Sequence, residues 1–168
     1  METARLASLI AAISTMGLVS GLFYGFSVSV MPALRRTQDD RSVIDVMQRI
    51  NVAILNGWFV LGYIGAFLFT AVALALHVPS DGRGVLPPLI AALVCYLASM
   101  GVTNKVNIPL NNALEKAGPV ARIPDPTAVR RAFEGPWARA NVWRTLLCTA
   151  AVGFLAWALV LNGGLPTA

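Results

Sequence analysis

The sequence predicts an all-α fold: a membrane four-helix bundle with short cytoplasmic amphipathic helices, formed by residues 1–168 as a single domain. Hydrophobic residues make up 57% of the 168 residues and charged residues only 12%. Four apolar segments, at residues 6–34, 52–78, 86–103 and 142–162, are each near or above the ~20 residues needed to cross ~30 Å of hydrocarbon. These features are typical of a polytopic membrane protein rather than a soluble domain.

The first apolar segment begins after Arg5 and resembles a signal peptide, but it runs well past the ~7 to 15 residues of a cleavable apolar core, so we expect it to be retained. Its glycines Gly17, Gly21 and Gly25 recur every fourth residue, which predicts close packing against another membrane helix. Tyr24 lies on a neighbouring polar arc. Its position fits an interfacial aromatic residue as well as a pocket residue.

The connection at residues 35–50 predicts a short amphipathic helix on the membrane surface, with Asp40 or Ser42 as its N-cap. The second segment then opens with Asn51 and Asn56, which point roughly 140° apart on a helix. One of the two is therefore expected to be structural. Asn56 shares a helical face with Tyr63 and is a candidate substrate-binding residue.

The third segment ends in residues 103–112, which read TNKVNIPLNN. An unpaired amide in hydrocarbon costs several kcal/mol, so such a cluster indicates groups that face one another, water or a ligand. At ~100° per residue, Asn104, Asn107 and Asn111 fall within roughly 60° of one face, and Pro109 is expected to bend the helix. The alternative is that these amides only bind helices to one another.

The fourth segment follows a connection at residues 117–135, where Asp125 and Pro126 predict the start of a short helix ending before Gly135. That connection could be a lid or a simple connector. Beyond it, four residues spaced by four, three and four form one stripe, namely Trp137, Asn141, Arg144 and Cys148. Arg144 must either extend to the interface or turn inward to a partner.

The basic residues predict the orientation in the membrane. Of the 13 Lys and Arg residues, only Arg5 and Arg83 lie on the side of the termini, and the other 11 lie in or beside the two remaining connections. The positive-inside rule then places both termini outside and the basic loops in the cytoplasm of a multi-pass cell-membrane protein. Basic loops at an anionic leaflet explain the net charge of +5 without a nucleic-acid partner.

The sequence lacks the motifs of several classes of enzyme. The chain has no carboxylate pair, no Ser/His/Asp set, no Gly-rich phosphate loop and no dinucleotide fingerprint. The single histidine, His77, and the two cysteines have no metal-ligand spacing, so no metal site is expected. Neutral hydrogen-bonding residues around one arginine instead suit a flat, hydrophobic molecule that bears a few oxygens.

The motifs GLFYGFSVSVMPALRR, MQRINVAILN, VTNKVNIPLNNAL and WARANVWR together resemble the small four-helix membrane family that includes the anthrone oxygenases. The resemblance covers nearly the whole chain and implies oxidation of polycyclic anthrones to anthraquinones by molecular oxygen, with no cofactor. In that family a histidine often occupies the position of Asn141. A carboxamide there can hold a substrate but cannot accept its proton at ordinary pH.

The leading hypothesis is therefore a cofactor-independent oxygenase acting on a polycyclic aromatic, anthrone-like or polyketide-like substrate with O₂. Arg144 is expected to stabilise the oxyanion and Tyr24 to relay protons, with Asn141 beside them in the catalytic group. The expected substrate-binding residues are Asn56, Asn104, Asn107, Asn111 and Trp137. Two alternatives remain open: a non-enzymatic protein that binds or helps to transport lipophiles, and an accessory membrane subunit. Assembly as a homo-oligomer is compatible with the oxygenase and with both alternatives.

Overall fold

A computed structural model describes residues 1–79 and 83–164, and these residues are almost entirely helical, which confirms the all-α class. The α-helices are α1 (Glu2–Gly25), α2 (Met31–Arg36), α3 (Asp40–Ala53), α4 (Gly57–His77), α5 (Leu86–Val102), α6 (Ile108–Lys116) and α7 (Pro126–Gly163). Two π-helical stretches, Phe26–Val30 and Thr103–Asn107, join α1 to α2 and α5 to α6. Single 3₁₀ turns lie at Arg83–Val85 and Val120–Arg122.

Four continuous helical rods are long and apolar enough to cross a membrane, at Glu2–Arg36, Gly57–His77, Arg83–Lys116 and Pro126–Gly163. They indicate a multi-pass membrane protein, as the composition predicts. The last rod begins 16 residues before the predicted start at residue 142 (142 minus 126). The predicted short helix at 126–135 and the fourth segment are thus one helix.

The helix α7 continues through Pro136 because the residues on either side of the proline are anchored on one buried face. A proline removes one hydrogen bond and disturbs about one turn. Phe133 and Trp137 flank it, are buried, and pack with ring centroids 6.0 Å apart. The same packing fixes the start of α7 against the bundle. The Asp125 side chain caps the helix by accepting from the Ala128 backbone N–H at 2.9 Å, as the sequence predicts.

The four rods form a closed ring in which α1 packs on α4 and α7, and α5 packs on α4 and α7. Successive rods run in opposite directions, since Arg5 at the start of α1 donates to the Leu76 carbonyl at the end of α4. An apolar core fills the ring and consists of large residues facing alanines, among them Leu9, Met16, Phe23, Ala66, Leu89, Ala92, Tyr96, Ala151 and Leu155.

Close helix approach uses different glycines from those that the sequence indicates. A Cβ added at Gly65 of α4 would lie 3.3 Å from the Thr15 side chain of α1. A Cβ at Gly17, Gly21 or Gly25 would meet no atom within 4 Å. Within the described residues no other helix packs closely on this stripe, so the close packing that its spacing predicts stays a prediction for a helix outside this chain.

A second core lies at one end of the ring, which we call the basic end and which comprises residues 35–56 and 104–141. Here α3, α6 and the first turns of α7 bury residues such as Ile44, Met47, Leu114, Ile123 and Phe133. The predicted amphipathic helix is confirmed as α3 and buries one apolar face. Its N-cap is Asp39, one residue before the predicted Asp40, and the Asp39 carboxylate accepts from the backbone N–H groups of Arg41 and Ser42.

Both π-helical stretches end two residues before a proline, at Pro32 and at Pro109. A proline ring clashes with the carbonyl four residues earlier in a regular α-helix. A turn that contains one extra residue moves that carbonyl away, so the helix continues instead of breaking. Pro109 thus follows a wide turn, and this turn changes which side chains face inward.

Arg130 ties the basic end together. Its guanidinium donates to the Leu34 and Thr37 carbonyls at 2.9 Å each, to Asp40 at 2.8 Å and to Glu134 at 2.7 Å. The Thr127 hydroxyl and the Arg130 guanidinium hold the pKa of the Asp40 carboxyl below its usual value. One side chain therefore joins the end of the first rod, α3 and α7.

We expect Arg130→Ala to lower the stability of the basic end by about 2 kcal/mol, because it leaves carbonyls and carboxylates without their charged donor. Thermal unfolding of the purified protein in detergent measures the effect. Arg131→Ala is the matched control, since Arg131 is exposed on the adjacent position. Equal melting temperatures for the two variants would contradict this role of Arg130.

Candidate functional site

A cavity of about 130 Å³, here called the chamber, lies where the apolar ring meets the basic end. It receives residues from all four rods and from α3. Its lining consists of Leu22, Phe23, Phe26, Ile50, Asn51, Ile54, Leu55, Phe59, Tyr63, Thr103, Asn107, Ile108, Asn111, Trp137 and Arg144. Each π-helical stretch contributes to this lining, through Phe26 on one side and Thr103 and Asn107 on the other.

Four side-chain atoms in the chamber are buried and have no hydrogen-bond partner within the described protein: Asn51 Nδ2, Tyr63 Oη, Asn107 Oδ1 and Arg144 Nε. They are all the unpaired buried side-chain atoms of residues 1–79 and 83–164. Leaving such a group unpaired costs ~1 to 3 kcal/mol, so buried polar groups normally have partners. Their collection in one cavity makes the chamber a candidate binding site for a molecule with polar groups.

Arg144 is the only charged residue in the lining and is just 6% exposed. Its guanidinium donates to Asn141 Oδ1 at 2.7 Å and to the Thr103 hydroxyl at 3.4 Å, and it lies 4.1 Å from the centroid of the Phe23 ring. None of the ion pairs in the described ranges includes it. The sequence left two orientations open for this residue, and the inward one is the one observed.

Asn141 holds the guanidinium in place. It is completely buried, and its Nδ2 donates to the Phe23 carbonyl and to the Ser27 hydroxyl at 2.8 Å each. These two acceptors fix the amide orientation, so Oδ1 must face Arg144. Asn141 therefore connects the first rod to the arginine and does not line the chamber.

Trp137 lies on the same face of α7 as Arg144, with its ring centroid 5.4 Å from the guanidinium, and it fixes two of the asparagines. Its indole N–H donates to Asn111 Oδ1 at 2.8 Å, and its backbone carbonyl accepts from Asn107 Nδ2 at 3.4 Å. Because that carbonyl can only accept, the Asn107 amide presents its oxygen to the chamber. The predicted stripe on α7 is confirmed, since Trp137, Asn141, Arg144 and Cys148 are all buried.

Not all of the predicted asparagines of residues 103–112 face the chamber. Asn107 and Asn111 line the chamber, whereas Asn104 is exposed on the outside of the helix. The prediction assumed a regular α-helix, and the π-helical turn at Thr103–Asn107 adds a residue that breaks the alignment. The structure therefore does not bring Asn104 to the site.

Of the two asparagines before the second rod, Asn56 is the structural one, although the sequence suggested it as the substrate-binding residue. Asn56 is exposed and caps α4, accepting from the backbone N–H groups of Trp58 and Phe59 at 3.0 and 3.1 Å. Asn51 is the one that reaches the chamber. A single asparagine directly before an apolar helix is the usual pattern of an N-cap, and this signal could have distinguished the two.

The tyrosine of the site is Tyr63 rather than Tyr24. Tyr24 is 58% exposed on the outside of α1 and does not line the chamber. Tyr63 lies inside, beside the Thr103 hydroxyl but without a hydrogen bond of normal geometry to it. Its backbone carbonyl accepts from the buried Tyr96 hydroxyl at 2.6 Å, which holds this part of α4 against α5.

His77 is far from the chamber, at the opposite end of the ring. Its Nε2 lies 3.0 Å from Asn162 Oδ1, and its Nδ1 lies 2.7 Å from the Ala73 carbonyl. Within the described ranges, no group of three His, Cys, Asp or Glu side chains could hold a metal ion.

The unpaired groups predict a contrast in stability. Asn51→Leu and Tyr63→Phe each remove a buried polar atom that has no partner, so their melting temperatures should equal or exceed that of the parent protein. Asn56→Ala should lower stability by about 1 kcal/mol because α4 loses its cap. Thermal unfolding of the three variants measures the contrast. A large loss of stability in Asn51→Leu would show that its amide has a structural partner.

Comparison with known proteins identifies the family of the chain. The sequence profile of the anthrone oxygenase family matches residues 52–154, which is more than half of the chain. The match contains Tyr63, Asn107, Trp137 and Arg144, but it ends short of Phe23 and Asn51. No curated protein and no solved structure shows a significant match to the chain. The protein therefore belongs to the anthrone oxygenase family of membrane proteins.

Proposed function

We propose that the protein is a membrane-embedded oxygenase that needs no cofactor and that oxidises a polycyclic aromatic substrate of the anthrone or polyketide type with O₂. The observation that carries this proposal is the buried Arg144 guanidinium, which faces a chamber of unpaired polar atoms and has only neutral partners. Family membership supports the reaction class.

The charge of Arg144 favours an anionic ligand. Burying a cation costs several kcal/mol, and neutral hydrogen bonds and an aromatic face offset only part of that cost. An enolate or phenolate oxygen next to the unpaired Nε would supply the missing negative charge. The site thus stabilises the ionised form of a substrate whose neutral form is the stable one in water.

The remaining unpaired atoms match the oxygens of such a molecule. Asn51 Nδ2 is a donor for a second oxygen, and Asn107 Oδ1 is an acceptor for a substrate hydroxyl. The aromatic rings of Phe23, Phe26 and Trp137 supply flat walls. A flat, oxygenated ring would be oriented by these contacts without a covalent bond to the protein.

In the proposed reaction, the anthrone passes a proton from its CH₂ carbon through the Tyr63 hydroxyl to water, and Arg144 stabilises the resulting enolate. This electron-rich carbon reduces O₂ and bonds to it. The same relay returns the proton when the peroxide formed with O₂ loses water. This loss of water leaves a carbonyl group. The balance is one CH₂ group plus O₂ giving one C=O group plus H₂O, so the substrate supplies all the electrons. The protein contributes ionisation and orientation.

Tyr63 is the proposed proton relay. It is the only lining residue besides Arg144 with an ionisable side chain, and its hydroxyl is unpaired. It replaces Tyr24, which the sequence suggested for the same role. The arrangement places a hydroxyl group and a guanidinium group in the same small space, as proton transfer coupled to charge stabilisation requires.

Replacing Arg144 tests the proposal most directly. Arg144→Gln should lower kcat with dithranol by about 10² or more, because a donor to the developing oxyanion is lost. Oxygen uptake and quinone absorbance measure turnover in detergent. Arg139→Gln removes an exposed arginine on the same helix and should leave turnover unchanged. Equal turnover of both variants and the parent would exclude a role for Arg144 in the reaction.

Tyr63→Phe should lower kcat by about 10² while the Kd for dithranol stays within about threefold, because the ring remains and only the relay is lost. Tyr24→Phe is the matched control and should behave as the parent. If dithranol binds to the parent protein and no oxygen is consumed, the non-enzymatic lipophile-binding alternative is favoured instead.

A further inference from the structure

We infer that the substrate binds end-on, with one oxygen-bearing ring in the chamber and its remaining apolar part in a groove between α1 and α4 that faces the lipid. This inference rests on the proposed function, since it names the shape and the access path of the substrate for the same chamber.

The size of the chamber is the first reason. Its volume is about 130 Å³, and an apolar protein cavity of about 150 Å³ accommodates benzene. Sites that enclose larger ligands measure roughly 300 to 1,000 Å³. The chamber therefore has room for one ring, and the rest of a polycyclic molecule must lie in an adjoining space.

The groove adjoins the chamber directly. It has a volume of about 480 Å³, and it shares Leu22, Ile54 and Phe59 with the chamber lining. The Phe59 ring stacks on Tyr63 with centroids 5.4 Å apart and planes at 20°. Phe59 thus stands between the two spaces, and its face continues the surface on which a flat molecule would lie.

The chemistry of the groove suits an apolar occupant that arrives from the membrane. Its outer rim includes exposed apolar side chains on two spanning helices, among them Leu18, Trp58 and Leu61. The rim also contains Asn56, whose amide is already hydrogen-bonded to backbone groups at the start of α4. Such side chains face hydrocarbon when α1 and α4 cross a bilayer. A lipophilic substrate dissolved in the membrane could move along this groove into the chamber without entering water.

A second space adjoins the chamber on the other side and is less suitable. This vestibule of about 560 Å³ includes Asn112 and Glu115, and the residues that it shares with the chamber are Asn51, Ile54, Leu55, Ile108 and Asn111. Its carboxylate and amides would have to be desolvated by an apolar ring system, which is unfavourable. The vestibule therefore fits water or a polar group better than the apolar part of the substrate.

The test uses two phenols that differ only in an apolar tail, resorcinol and 4-hexylresorcinol, with binding measured by calorimetry in nanodiscs. Leu18→Trp and Leu61→Trp each place an indole in the groove. Each should raise the Kd for 4-hexylresorcinol by about tenfold or more. Resorcinol should bind to both variants within about twofold of the parent. Ile10→Trp is the matched control, since Ile10 is 50% exposed on α1 two turns away and outside the groove.

The outcomes separate this inference from the proposed function. If both groove variants bind the tailed phenol as the parent does, or if Asn112→Trp weakens it instead, end-on binding through the groove is wrong while the chamber remains the site. If neither phenol binds to the parent protein, the proposed function itself fails. Melting temperatures equal to the parent's confirm that the variants are folded.

Discussion

The buried charge of Arg144 is the constraint around which this end of the bundle is organised. The guanidinium lies among four apolar rods, and the side chains that reach it are amides, hydroxyls and aromatic rings. A carboxylate partner would neutralise the charge within the protein. An anionic ligand would then gain little from binding beside the guanidinium. Neutral partners hold the group in place and keep its Nε unpaired, at a cost in stability that an anionic ligand would recover.

The two π-helical turns supply the geometry that this arrangement needs. Each precedes a proline and supplies residues to the lining of the chamber. The Phe23 carbonyl, just before the first turn, accepts from Asn141, and the second turn presents Thr103 and Asn107 inward. Wide turns of this kind are common at functional sites because they reorient side chains without ending the helix.

Composition and periodicity predict the fold well because crossing a bilayer imposes strong rules of length and apolarity. They also predict the α7 stripe, since α7 is a regular helix there. The same reasoning misplaced Asn104 because a π-helical turn has no signal in a pattern that assumes 100° per residue. It chose Asn56 over Asn51 because helical angle alone does not identify a cap. Tyr63 escaped notice as one aromatic residue in an apolar segment, and only three-dimensional packing reveals its unpaired hydroxyl.

The central claim is that a ligand oxygen completes the hydrogen bonding of Arg144. The ¹⁵N and ¹H chemical shifts of the Arg144 Nε–H group test it directly, in arginine-labelled protein with the signal assigned by its loss in Arg144→Gln. With a ligand oxygen at Nε, this resonance should shift progressively as dithranol is added and move further as the pH rises through the ionisation of the ligand. A resonance that stays unchanged while dithranol demonstrably binds would show that no ligand oxygen reaches Nε.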